Sequence, residues 1–144
     1  MVGVMPMGDF KRALVPLVAR ENDPTVLCRA VFEDELREAA KKQLVRVGTP
    51  AVRCITESIT ATIEKMNAAF AFSGHSKSKN EGVAALCRAL GEIKDQAAIP
   101  VLLHVYNHCL AVVAQASAVE SLVMIGHNEV AENPEKYPVD YGVL

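Results

Sequence analysis

The sequence predicts an all-α fold, a short superhelix of about three stacked helical hairpins. Three observations carry this reading. Apolar residues recur three and four apart in several separate segments, the spacing of one helix face. Helix stops recur in register: Gly48, Lys94 and Gly126 come after similar apolar strings, 46 and then 32 residues apart. The core is also built from small and branched residues. About half of the 144 residues are apolar, yet there are three Tyr, four Phe and no Trp. Ala, Val and Leu therefore fill the interior, as closely stacked helices require. One domain of this length buries roughly 68–70% of its unfolded surface.

Met1 to Gly8 reads as a lead-in. Residues 9–23 read as a partial first unit, in which Pro16 starts a short helix, L-V-P-L-V-A-R, because a proline further inside a helix costs about 3 kcal/mol. That helix reads as the second of its pair. Asn22-Asp23-Pro24 ends it, with Asp23 as N-cap and Pro24 as first residue of the next helix. Residues 24–72 form the next unit; whether 24–47 is one helix or two is left open. Leu36, Ala39, Ala40, Leu44 and Val47 mark a buried side, and Gly48 a stop. After Thr49-Pro50, Val52, Ile55, Ile59, Ile63, Met66 and Phe70 predict a long second helix from Ala51 to about Phe72, roughly 33 Å in length.

Residues 73–80, S-G-H-S-K-S-K-N, lack an apolar anchor and predict a mobile loop, with Asn80 capping the next helix. In the unit 81–109, Val83, Leu86, Leu90 and Ile93 form one stripe. Lys94 to Ala97 make a polar turn, Pro100 starts a helix, and Ile99, Leu102, Leu103 and Tyr106 form the facing stripe. The final helix, within 110–128, should bury Val112, Ala116, Val119, Leu122 with Val123, and Ile125, and stop at Gly126. Residues 129–144, with Pro134 and Pro138, read as an extended tail, packed on the last helices or free.

The string A-L-C-R-A-L-G-E-I-K-D-Q-A-A-I-P-V-L-L resembles a short HEAT repeat of the kind named after the phycobilisome lyases. Residues 35–48 and 111–126 are similar to the first helix of the same repeat, so the likeness covers about residues 34 to 128. The resemblance implies an α-solenoid whose second helices line the concave face where partners dock. It also implies an alternative function, a subunit resembling a bilin lyase or isomerase acting on a phycobiliprotein.

The net charge of −2 and pI near 6.1 supply no general attraction to nucleic acid or anionic lipid. Basic residues are scattered, so nucleic-acid binding ranks last. No apolar run reaches the length of a membrane span, and the first ten residues lack the features of a signal peptide. The expected location is the cytoplasm. Cys28, Cys54, Cys87 and Cys109 form no C-x-x-C pair and read as small buried hydrophobes in a reducing compartment.

No catalytic set, cofactor or metal is expected. His104 and His108 are one helical turn apart beside Cys109, but a metal needs further ligands, and no H-E-x-x-H motif is present. His75 stands near Ser73, Ser76 and Ser78 without a third orienting group. Gly48, Gly91 and Gly126 each come after a helix and form no phosphate cradle. The expected function is a non-catalytic protein-interaction or scaffold module, with a homodimer or a larger complex as its setting. The expected partner-binding residues lie on the second helices: Arg53, Glu57, Thr60 and Glu64, then Val101, His104, Val105 and His108. Val101 and Val105 fall off the main stripe, which makes them either an exposed apolar patch or the seat of the tail.

Overall fold

The computed structural model describes residues 12–73, 76–109, 111–128 and 132. Met1–Gly8, the Phe70 side chain, His75 and almost all of the tail lie outside the described residues. Among the described residues seven α-helices run in order: α1 (Val15–Val18), α2 (Pro24–Ala30), α3 (Arg37–Val47), α4 (Val52–Ser73), α5 (Lys77–Ile93), α6 (Ile99–His108) and α7 (Val112–Ile125). Short 3₁₀ turns, Thr49–Ala51 and Gln96–Ala98, introduce α4 and α6. There is no strand among the described residues.

Two layers result. One holds α3, α5 and α7 side by side with α1 against α3; the other holds α2, α4 and α6. Across the layers α2 packs on α3, α4 on α5 and α6 on α7. This is an all-α solenoid. The open question about 24–47 resolves as two helices, parted by turns in which Val31 and Leu36 are buried. The packing also moves the first unit: α1 sits with the first helices and α2 with the second, so α1 is not the second helix of its pair.

The punctuation of the chain comes from local chemistry. Asp23 accepts a hydrogen bond from the Thr25 amide at 3.0 Å, and Pro24 opens α2. Asp95 does the same for the Ala97 amide at 2.9 Å. Gly48 ends α3 at φ +76°, and Gly126 ends α7 at φ +99°. Lys94 stands at the equivalent place after α5 with φ +61°, an uncommon conformation for a residue with a Cβ. Lys94→Gly should therefore raise stability by about 1 kcal/mol, measured as an upward shift of the urea midpoint with an unchanged slope.

The polar run 73–80 differs from its expected form. The Ser76 hydroxyl accepts from the Lys79 amide at 3.4 Å, and Lys77 to Asn80 are the first turn of α5. The serine cap satisfies one amide at the start of a helix whose later turns are buried. Gly91 likewise lies inside α5 rather than after it.

Between elements, side-chain amides reach carbonyls that helix ends leave unpaired. Asn67 donates to His108 O at 2.9 Å, Gln96 to Ile125 O at 3.3 Å, and Gln43 to Glu21 O at 2.8 Å. Arg37 ties three segments together, donating to Val31 O at 3.0 Å, Asp34 at 2.7 Å and Glu81 of α5 at 2.8 Å. Its side chain is mostly covered, so these bonds fix the start of α3 better than an exposed pair would.

The last helix shows the largest departure. Leu122 and Ile125 are buried as expected, but Val112, Ala116 and Val123 point outward. The face against the molecule is instead Ala111, Ala114, Gln115, Ser117, Ala118, Ser121, Leu122 and Ile125. Close approach explains the choice. A Cβ on Gly91 would stand 2.7 Å from Ser121 Oγ, and Ser121 donates to Cys87 O at 2.6 Å. Where α7 crosses Gly91 only a small residue fits, and Ala114, Ser117, Ala118 and Ser121 take the middle of the buried face.

Candidate partner-binding face

Helix α4 is apolar on one side, where Val52, Ile55, Ile59, Ile63 and Met66 are buried. Its other side carries Arg53, Glu57, Thr60 and Glu64, spaced four, three and four apart and all exposed. Arg53 Nε donates to Glu57 Oε1 at 3.1 Å, and Thr60 Oγ1 donates to Thr56 O at 2.9 Å. The ion pair is open to solvent and adds little to stability, so both charges can re-pair with an incoming group.

Between α4 and α6 lies a shallow cleft of about 320 Å³, lined by Thr60, Ile63, Glu64, Asn67, His104 and His108. It gathers four of the eight expected residues. The imidazole rings of His104 and His108 stand 4.7 Å apart between centroids, tilted by 40°. Partial burial, and then repulsion from His108, hold His104 below its ordinary value. It is neutral near pH 7 and presents one donor and one acceptor nitrogen. A second cleft, of about 420 Å³, brings Arg53 and Glu57 beside Thr49, Val52, Asp95 and Ala97. The α4 face is thus a polar, mixed-charge surface that can hydrogen-bond a ligand. Among the described residues, no group of three His, Cys, Asp or Glu is arranged to hold a metal.

Val101 and Val105 do not belong to this face. They are 4% and 0% exposed. Helix α6 packs on both α4 and α7, so its buried arc is wide enough to hold Val101, Leu102, Val105 and the adjoining Cys109. The predicted stripe residues Ile99, Leu103 and Tyr106 are only partly buried at its margin. A single-stripe reading fails for a helix packed on two sides.

Large exposed apolar groups lie elsewhere. Leu17 on α1 and Val26 on α2 stand singly, whereas α7 carries four: Val112 is 74% exposed, and Val113, Val123 and Met124 are each above 40%. With Ala116 and the half-buried Val119, the residues Val112, Val113, Val123 and Met124 run along the side of α7 turned away from α5 and α6. The sequence pattern puts Val112, Ala116, Val119 and Val123 inside; the structure leaves Val119 half-buried and turns the other three outward. The signal available was the run of Ala and Ser on the opposite side.

Layered helix pairs linked by short turns define a helical-repeat protein. Residues 83–108 match the family model of the PBS lyase HEAT-like repeat. The match takes in most of α5, the 3₁₀ turn and α6 through His108. No curated protein and no solved structure matches the chain. No helix among the described residues is long and apolar enough to cross a membrane.

Proposed function

We propose that the chain is a non-catalytic protein-interaction module whose helix α7 docks an apolar helix of a protein partner. The observation that carries this is the outer side of α7. An exposed run of apolar side chains along one helix marks a surface suited to covering by another apolar element. Here that run holds Val112, Val113, Ala116, Val123 and Met124, and Glu120 is the sole charge between Ala111 and Gly126. A partner helix with its own apolar stripe would bury these groups, each contributing about 1.5–3 kcal/mol when fully covered. A Lys or Arg on the partner would meet Glu120.

The polar α4 face, with Arg53, Glu57, Thr60, Glu64, His104 and His108, is the competing surface, suited to adding specificity through hydrogen bonds. The lyase-like alternative rests on the repeat resemblance alone, whose matching residues build the repeat.

The variant Val112→Asp/Val123→Asp tests the proposal. Both side chains are exposed, so stability should stay within about 0.5 kcal/mol of the parent. Binding to the partner recovered with the parent chain should fall by more than about tenfold, the loss expected when two apolar contacts are replaced by buried charges. Retention of the partner by this variant, with loss in Glu64→Lys/His108→Ala, would move the docking site to α4 and overturn the assignment to α7.

A further inference from the structure

Two of the four cysteines line a third opening on the α2, α4 and α6 layer. A cleft of about 260 Å³ between α2 and α4 is lined by Thr25, Cys28, Arg29, Cys54, Glu57 and Ser58. Thr25 and Cys28 are three residues apart on α2 and so share a face. The Thr25 hydroxyl lies 3.7 Å from Cys54 Sγ, which places Cys54 against that same face. Both thiols are free. Burial pushes the Cys28 thiol up to about 12, and the neighbouring Cys54 adds to the effect.

The coordination chemistry of this pair is restrictive. Zinc takes four protein ligands in a structural site and three in a catalytic one. No set of three His, Cys, Asp or Glu is arranged for a metal among the described residues. Soft thiolates select Cu(I) over hard cations, and a monovalent d¹⁰ ion is content with two of them. Arg29 and Glu57, which line the same cleft, balance each other, so the single negative charge that two thiolates and one such ion would leave faces the solvent at the cleft mouth.

We propose that Cys28 and Cys54 form a two-thiolate site for a soft monovalent cation of the Cu(I) class. Two S–H bonds are lost and two metal–sulfur bonds form, the two protons pass to solvent, and no group changes oxidation state. Cys87 and Cys109 supply the contrast. Both are fully buried, and burial pushes both thiols up, whereas Cys28 and Cys54 line an open cleft.

The test is an anaerobic titration of the full chain with Cu(I) against a chromophoric Cu(I) chelator. The parent chain should withdraw one equivalent from the chelator. Loss of a supporting partner around a metal typically costs about 10–100-fold, so removing a ligand by Cys54→Ser should weaken binding by more than about 100-fold. Cys54 is half-buried, so this variant should keep its helical circular dichroism, and Cys109→Ala should bind as the parent does. Failure of the parent chain to compete with the chelator would overturn the proposal. So would unchanged uptake by Cys54→Ser, or a Cys28–Cys54 disulfide that forms in place of metal binding.

Discussion

Val105→Glu should abolish the cooperative thermal transition, whereas Thr60→Glu, on the neighbouring helix, should leave it in place. Val105 is fully buried where α6 is held between α4 and α7. A carboxylate there has no partner of opposite charge within the apolar cluster of Leu102, Leu122 and their neighbours. It must either stay charged at a cost of several kcal/mol or take up a proton and remain a poorly bonded polar group. The longer side chain also overfills the site, by about 1–3 kcal/mol. Together these approach the whole stability of a domain, about 5–15 kcal/mol. Thr60 is exposed, and a change there should fall within about 0.5 kcal/mol. Circular dichroism melts of the two variants check this. A Val105→Glu melt within a few degrees of the parent would mean that α6 is not packed on both sides.

Gly91→Ala should lower the melting temperature by about 5–10 °C, although alanine is the better helix former. The added Cβ would lie 2.7 Å from Ser121 Oγ, 2.8 Å from its Cβ and 2.9 Å from its Cα. Moving a hydroxyl does not relieve a contact with a Cα, so α5 and α7 must separate. That separation stretches the 2.6 Å hydrogen bond from Ser121 to Cys87 O and loosens the tightest seam of the molecule. Overpacking of this kind costs about 1–3 kcal/mol, which exceeds the gain of about 0.5–1 kcal/mol from replacing a helical glycine. Gly91→Ala/Ser121→Gly should recover part of the loss, because two of the three close contacts disappear. A stabilised Gly91→Ala would show that the two helices stand further apart.

These two sites also show what could be read from the sequence. Its clearest signals were local. Asp23-Pro24, the stops at Gly48, Lys94 and Gly126, and the 22 residues of α4 depend on caps, prolines and one strong stripe, and the structure places them as expected. The faces of α6 and α7 depend on which neighbours arrive. An apolar stripe identifies a core side only when the other side is polar, and α7 is apolar nearly all round. There the small residues mark the buried seam and the valines mark the surface, the reverse of a hydrophobicity ranking. The Arg37 bond to Glu81 and the cleft shared by Cys28 and Cys54 bring together residues 44 and 26 positions apart, and no local pattern announces them.

For the candidate face, the stripe Arg53, Glu57, Thr60 and Glu64 was legible because α4 has one polar side. His104 and His108 were legible as a pair from their spacing, and the structure adds Asn67 and Ile63 to their cleft. Val101 and Val105 were misplaced for the reason that α6 contacts two helices at once.

Whether the outer side of α7 meets a protein partner is tested most directly by photocrosslinking inside the cell. A benzophenone side chain is placed singly at positions 112, 124, 60 and 64 of the full chain. Positions 112 and 124 should capture one and the same protein through a helical segment, and this adduct should disappear when Val123→Asp is added. Adducts formed from positions 60 and 64 alone, with none from α7, would contradict the assignment.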